Sequence, residues 1–440
     1  MKAYGGKEYD FEKHGCRDEF QMVEEAHPDV PRNFILKADA LRRGVTFDIE
    51  AIERLQDPIK YDLTVSIEFQ WHMLDHTTKY LIPLNYYFRD ATIVATRLAP
   101  PENDPYRIKL KDDMFWICWP DGEPIEEIFF RGPHGHVGKI LSSGHPAEMI
   151  AQGVIDLFYF VPTHHCAYWN TDDQCRFCDL DYYAKHLMKM GRGFKTRQSP
   201  DDLYEATCEA LKGERVRYQH CFLNSGSDPR DDYSRDFAYN IECVSAINRG
   251  AKDVLGVERF PLYLLMAPQP KDRMQQLYDA GVCAFGSYIE TWNPEQFSLT
   301  CPGKEKFIGR DEYIRRTVDA VDIFGPGNVA FGFVPGVEMA PPPYGFEDVE
   351  DALASTLEGY AFMIDKGIVP LGTNWSIEPG TNFYKMGAKP PPLEFWVRLD
   401  KGRYQLLKDY QEKYGHGISA DYLSAKSQCL GTFSDYQRLL

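Results

Sequence analysis

A regular alternation of strand-like and helix-like segments, from about residue 153 to residue 380, constrains the fold of this chain most strongly. The strand-like segments are short, apolar and rich in β-branched and aromatic residues: VIDLFYFV, RYQHCFLN, FPLYLLMAP, VCAFGSYIE, NVAFGFVPG and IVPLG. Segments with helical periodicity separate them, which predicts a parallel sheet with crossover helices. Six such repeats can close partially into a TIM-like barrel, with the functional site in the loops at the carboxyl ends of the strands.

The two flanking regions lack this alternation of strand-like and helix-like segments. Residues 1–150 contain aromatic and β-branched runs between Pro, Asp and Gly, which predict a β-rich N-terminal accessory region with a helix near LKADALRRG. Residues 381–440 have a polar, helical pattern and are expected to pack outside the barrel. The expected fold is therefore α/β, with a partial (β/α)6 barrel at 151–380 between a β-rich N-terminal extension and a helical C-terminal extension.

Charge and hydropathy narrow the expected partners. The formal net charge of −17 repels phosphate backbones and anionic lipids, so neither nucleic acid nor a membrane surface is an expected partner. No run approaches the ~18 apolar residues that span a bilayer, and the first residues lack the apolar segment of a signal peptide. A cytoplasmic location is expected. The eleven cysteines are an odd number and mostly scattered, which does not indicate a disulfide framework.

Three of those cysteines lie in the segment HHCAYWNTDDQCRFCD, directly after the first predicted strand: Cys166, Cys175 and Cys178. A structural zinc site needs four ligands, so here His164 or His165 would have to complete it. A [4Fe–4S] cluster held by three thiolates leaves one iron without a protein ligand, and that iron can bind a substrate or cosubstrate. The spacing favours the reactive cluster, with zinc and three unliganded thiols as the alternatives.

The segment resembles the cluster motif of the radical S-adenosylmethionine (SAM) superfamily, C-x3-C-x2-C after the first strand of a partial barrel. The second half of the motif is present as Cys175-Arg176-Phe177-Cys178, with the aromatic residue before the last cysteine. The first gap has eight residues instead of three, so the motif here is C-x8-C-x2-C. The resemblance is to the biotin-synthase-like branch and covers about residues 153–380. It implies a [4Fe–4S] cluster and SAM as cofactors, and Phe177 as a neighbour of SAM.

The resemblance also implies SAM contacts at later strand ends. The family's GGE motif corresponds here to a run of five residues after the second strand: Asn224, Ser225, Gly226, Ser227 and Asp228. Glu290, at the end of the fourth strand, would contact the ribose hydroxyls or amino group of SAM. Arg316, on the packed side of the next helix, would bind the SAM carboxylate, whereas Arg315 lies on a stripe of acidic residues and is expected to be solvated.

The fifth predicted strand, GFVPGVE, resembles the family's G-x-I-x-G-x-x-E segment. Gly332, Val334 and Gly336 would leave the backbone near the adenine unobstructed. Cys301, after the fourth strand, is a candidate hydrogen-atom donor or covalent acceptor, against the alternative of an ordinary buried cysteine. Lys304 beside it would bind a substrate carboxylate or be solvated.

The remaining cysteines are scattered, which argues against an auxiliary cluster, and the cobalamin motif D-x-H-x-x-G is absent. The third strand carries no cysteine, which disfavours sulfur insertion. The resemblance thus implies a single-cluster radical SAM enzyme of lyase, mutase or transferase type that rearranges, fragments or joins a small-molecule substrate. An electron donor such as flavodoxin or ferredoxin is the implied partner. Modification of a peptide, methyl transfer and a zinc-stabilised, non-catalytic binding protein stay open.

Overall fold

The computed structural model describes residues 2–3, 7–8, 15–63, 67–68, 80–99, 101–154, 157–190, 195–214, 218–378, 380–418 and 430–439 of the chain. Within YDLTVSIEF, one of the β-branched N-terminal runs, residues 64–66 and 69 fall outside these residues, as does Cys429. Among the described residues, no helix combines the length and the apolar character that crossing a membrane requires.

Six parallel strands form the central sheet, and their spatial order follows the chain. They are β1 (Leu157–Phe160), β2 (His220–Asn224), β3 (Leu262–Leu265), β4 (Ala284–Glu290), β5 (Val329–Phe333) and β6 (Val369–Gly372). Each strand pairs in parallel with the next, and a short strand, Gln152–Val154, pairs antiparallel with the outer edge of β1. The residues of β3, β5 and β6 are all buried, as expected when helices cover a parallel sheet. The predicted partial barrel is confirmed.

The crossover helices follow the predicted periodicity closely. After β1 come Leu180–Met190 and Pro200–Glu214; after β2, Ser234–Leu255; after β3, Lys271–Asp279; after β4, Pro294–Thr300, Pro302–Phe307, Arg310–Asp319 and Val321–Phe324; after β5, Val349–Asp365. The helix at 180–190 and the pair at 294–307 have no counterpart in the sequence-based prediction.

The N-terminal region contains a second sheet together with helices. In spatial order its strands are Val45–Phe47, Tyr106–Lys111, Met114–Cys118, Pro124–Phe129, Asn85–Phe88 and Ile93–Ala95. Two-residue strands pair as Lys2–Ala3 with Lys7–Glu8 and Ile67–Glu68 with Leu81–Ile82. The helices are Cys16–Ala26, Arg32–Arg43 and Ile49–Leu55, of which the sequence indicated only the second.

The C-terminal region contains the helices Asn382–Lys385, Leu393–Tyr414 and Phe433–Leu439. Helix 393–414 was expected to be polar and peripheral, but its first turns bury Leu393, Phe395 and Trp396 in the main core. It packs on helices 349–365 and 32–43, and so joins the barrel to the N-terminal region. The helical character expected of this segment is confirmed, and its polar residues are concentrated in the second half of helix 393–414.

Candidate functional site

The predicted site residues gather at one edge of the central sheet. Because parallel strands all end at the same edge, the loops after β1, β2, β4 and β5 share the mouth of the barrel. The three cysteines follow β1, the segment 224–228 begins at the end of β2, Glu290 is the last residue of β4, and Gly336 follows β5.

The three thiols of the cluster segment are half-buried and influence one another electrostatically. Burial raises the pKa of Cys166 to about 11 and that of Cys178 well above its usual value. The pKa of Cys175 is also raised, first by a hydrogen bond with the Cys301 thiol and then by burial. A metal that binds these sulfurs must therefore displace their protons.

Within the described residues, no three His, Cys, Asp or Glu side chains converge tightly enough to hold one metal ion. A tetrahedral zinc site needs such convergence on a single ion. A [4Fe–4S] cluster has a different requirement, because each of its thiolates ligates a separate iron.

The eight residues between the first two cysteines pack against helix 302–307, which follows β4. The rings of Tyr168 and Phe307 stack with centroids 5.8 Å apart, and the Tyr168 hydroxyl is hydrogen-bonded to that of Tyr233. The Gly303 amide donates to the Asp173 carbonyl at 3.0 Å, and Lys306 forms an ion pair with the Asp173 side chain. The insertion is thus held against residues 303–307 by both backbone and side-chain contacts.

The end of β2 lies directly against the cysteine segment. The Ala167 amide donates to the Ser227 carbonyl at 2.7 Å. A Cβ atom on Gly226 would lie 2.2 Å from the His165 carbonyl oxygen and 3.0 Å from the Cys166 Cα, so only glycine fits there. The Ser225 hydroxyl is buried and has no hydrogen-bond partner among the described residues.

Two further members of the segment, Asn224 and Asp228, lie on either side of these residues. Asn224 is the last residue of β2 and pairs with Leu265 of β3. Asp228 forms an ion pair with Arg230, whose hydrogen bond lowers the pKa of the Asp228 carboxyl.

Glu290 is buried at the end of β4, where its backbone is left-handed with φ of 72°. A non-glycine residue rarely adopts this conformation, and surrounding contacts must hold it there. Lys304 forms a buried ion pair with the Glu290 carboxylate and donates to the Tyr288 carbonyl at 2.6 Å. Burial alone would lower the pKa of Lys304, but Glu290 and its neighbours raise it well above the usual value. Lys304 is therefore a charged partner of Glu290, which sequence spacing did not reveal.

Arg316 and Arg315 have different surroundings on the helix after β4. The Arg316 side chain is largely buried, and its guanidinium donates to Glu312 at 2.7 Å and to the Pro268 carbonyl at 3.4 Å. Arg315 is 59% exposed and pairs with Glu312 and Asp319. Arg316 therefore reaches the loop after β3, while Arg315 points to solvent.

Side chains of this protein occupy the space beside two of the predicted adenine-contacting glycines. A Cβ atom on Gly332 would overlap the Tyr288 ring, and one on Gly336 would lie 2.5 Å from the Trp396 indole. Gly336 also has φ of 101°, which favours glycine. Packing thus requires both glycines, independently of any ligand. Between them, the Val334 amide donates to the Glu290 carbonyl at 2.9 Å.

Two other predicted residues lie within or beside the cluster segment. Phe177 is partly buried against the main core. Cys301 is fully buried between helices 294–300 and 302–307, next to Cys175.

The residues present fit a cluster and a polar ligand beside it. The three thiols supply the right kind of donor. The unpartnered hydroxyl of Ser225 and the close approach that Gly226 permits provide a polar cradle next to Cys166. The buried carboxylate of Glu290 at the same edge suits a cationic or hydroxyl-bearing ligand.

Comparisons with known proteins gave one sequence relative and several structural neighbours. No family model matches the chain. A bacteriochlorophyllide c C-7(1)-hydroxylase of Chlorobaculum limnaeum is 24% identical over 294 residues, which cover 64% of this chain and 67% of the hydroxylase. Methylornithine synthase superposes with a TM-score of 0.38 and 18% identity, over 57% of this chain and 63% of that protein, which is less than two thirds of its length. A radical SAM methyltransferase from Sphaerobacter thermophilus superposes with a TM-score of 0.40 and 13% identity, over 67% and 72% of the two chains.

Proposed function

We propose that the chain is a radical SAM enzyme, with a [4Fe–4S] cluster and SAM as cofactors, and that it abstracts a hydrogen atom from a small-molecule substrate; the cysteine motif and the 24% identity to the hydroxylase support the proposal. The observation that carries the proposal is the packing of the cysteine segment against the end of β2, where Gly226 lies against Cys166 and the neighbouring Ser225 hydroxyl has no partner among the described residues, at the carboxyl edge of a six-stranded parallel sheet. When bound, the cofactors supply a 5′-deoxyadenosyl radical through one-electron reductive cleavage of SAM.

In this proposal, Cys166, Cys175 and Cys178 hold the cluster, and Phe177 packs beside it. The end of β2 accepts the SAM ammonium group: Gly226 permits close approach of the backbone, and Ser225 supplies a free hydroxyl. Burial of these groups excludes water from the reacting region.

Glu290 would bind the ribose hydroxyls or the amino group of SAM. Lys304 holds the Glu290 side chain in place through their buried ion pair, so we assign it as a positioning residue. Arg316 would turn from Glu312 toward the SAM carboxylate. The backbone at Val334 would line the adenine, whereas Tyr288 and Trp396 fill the space beside Gly332 and Gly336.

The second part of the proposal concerns the reaction that the substrate radical undergoes. A single cluster without a cobalamin motif suits rearrangement, fragmentation or carbon–carbon bond formation. The sequence relative adds a second candidate, hydroxylation at a C–H bond, because that protein is a hydroxylase and its match covers 64% of this chain. An external one-electron donor such as flavodoxin or ferredoxin would serve either reaction.

Anaerobic purification tests the proposal. The protein should be brown, carry about four irons per chain and release 5′-deoxyadenosine from SAM after reduction by dithionite. Cys175→Ala should lose both the colour and the cleavage. A colourless protein that binds one zinc and no SAM would overturn the proposal, and a brown protein that never cleaves SAM would restrict it to cluster binding.

A further inference from the structure

The segment that holds Cys175 runs antiparallel to the segment that holds Cys301. The Arg176 amide donates to the Thr300 carbonyl at 2.9 Å, and the Gly303 amide donates to the Asp173 carbonyl at 3.0 Å. These two bonds fix the register of the pairing and set Cys175 opposite Cys301. The position of Cys301 beside a predicted cluster ligand is therefore determined by the backbone.

The side chains agree with this register. Cys301 has no exposed surface, and the backbone pairing places it beside Cys175. Its backbone is also fixed, since its amide donates to the Phe297 carbonyl at 2.8 Å at the end of helix 294–300. A buried thiol at this position suits a hydrogen-bond donor to a cluster-bound Cys175 sulfur, because a thiol S–H can donate to a thiolate.

We propose that Cys301 is a positioning residue that donates its S–H hydrogen bond to the cluster-bound sulfur of Cys175 and thereby raises the reduction potential of the cluster. The inference rests on the proposed function. The reduced cluster carries one more negative charge, which spreads onto its sulfur ligands. A hydrogen bond to such a sulfur therefore stabilises the reduced state more than the oxidised state.

A redox titration of the reconstituted, full-length protein, followed by electron paramagnetic resonance, tests the inference. Cys301→Ala should keep about four irons but shift to a more negative midpoint potential. We expect a change of up to about tenfold in the reduction equilibrium, which is about 59 mV for one electron. Cys301→Ser keeps a donor and should shift less.

Cys283→Ala is the matched control, because Cys283 lies at the opposite end of β4 and donates to the Phe260 carbonyl at 3.4 Å. Its potential should equal that of the wild type. Two results would overturn the inference: an unchanged potential in Cys301→Ala with full iron content, or loss of iron in both Cys301 variants, which would make Cys301 a ligand. A wild-type protein that binds no cluster would instead overturn the proposed function.

Discussion

Two buried polar regions of the molecule differ in how their polar groups are paired. The first, which we call the junction cluster, comprises Glu19, Asp39, Arg42 and Arg43, where the N-terminal helices meet helix 393–414. The Glu19 carboxylate accepts hydrogen bonds from both arginines and from the Leu393 amide at 2.9 Å. Asp39 accepts from Arg42 and from the Tyr106 hydroxyl.

The second region is the barrel mouth, where buried polar atoms without a hydrogen-bond partner among the described residues include Ser225 Oγ, Thr300 Oγ1, Trp169 Nε1 and Arg176 Nε. Buried polar groups in folded proteins are nearly always satisfied, so unpartnered ones require an explanation. The proposed function supplies one, because a bound ligand would complete the barrel mouth, whereas the junction cluster is expected to serve stability. Substitutions in the two regions should therefore affect different measurements.

The largest effect on stability is expected for Glu19→Gln, because the substitution leaves two buried guanidinium groups with Asp39 as their one remaining carboxylate in the cluster. The free energy of unfolding should fall by about 3–5 kcal/mol, as measured by urea denaturation of the apoprotein. Glu123→Gln is the control, since Glu123 pairs with Arg17 at the surface and should contribute about 1 kcal/mol or less. Equal losses in the two variants would contradict a special role for the junction cluster.

The ionisation of Glu19 also predicts how the free energy of unfolding depends on pH. Burial alone would raise the pKa of Glu19, but Arg42 and Arg43 lower it to about 2, below the ordinary value of 4.5. The unfolded chain therefore binds the proton more tightly, so the stabilisation is complete above pH 4.5 and is lost as the pH falls toward 2. Across that window, urea denaturation should show a steeper loss of stability in the wild type than in Glu19→Gln.

Lys304→Met should affect both stability and SAM binding, because it breaks a buried ion pair inside the barrel mouth. Glu290 would lose its charged partner, so we expect a loss of about 1–3 kcal/mol in unfolding free energy. We also expect weaker SAM binding by the cluster-loaded protein, by about tenfold, since a misplaced Glu290 side chain loses a charge-assisted hydrogen bond to SAM. Calorimetric titration measures the affinity, and Lys304→Arg should retain most of both properties. A loss of stability with unchanged SAM affinity would remove Lys304 from the positioning role.

The repeating part of the fold was predictable from the sequence because its strands and helices are local patterns. All six parallel strands lie at the predicted segments, and the short helices at 294–307 were missed because their pattern is irregular. The junction cluster was not predictable, since it joins residues as far apart as Glu19 and Leu393.

The same limit applies to the site. The cysteine segment and the strand ends were recognisable from motifs, but the partners of those residues were not. Glu290 pairs with Lys304, 14 positions later, and Trp396 of the C-terminal helix fills the space beside Gly336. These contacts depend on how the loops pack at the barrel mouth, and local periodicity does not encode that packing.

The smallest expected effect, and the most selective, belongs to Ser225→Ala. Because the Ser225 hydroxyl has no partner among the described residues, removing it should leave the unfolding free energy of the apoprotein unchanged or slightly higher. The same change should weaken SAM binding by the cluster-loaded protein by about 0.5–1.5 kcal/mol, if the ligand supplies the missing partner.

Ser287→Ala provides the opposite pattern as a control for that variant. The buried Ser287 hydroxyl is hydrogen-bonded to Thr317 at 2.8 Å, so its removal should lower stability by about 1 kcal/mol and leave SAM affinity unchanged. Urea denaturation and calorimetric titration of both variants would show whether the two effects separate. If Ser225→Ala destabilised the apoprotein as much as Ser287→Ala, the hydroxyl would have a protein partner after all, and the contrast between a junction of paired charges and a barrel mouth that a ligand completes would fail at its most direct point.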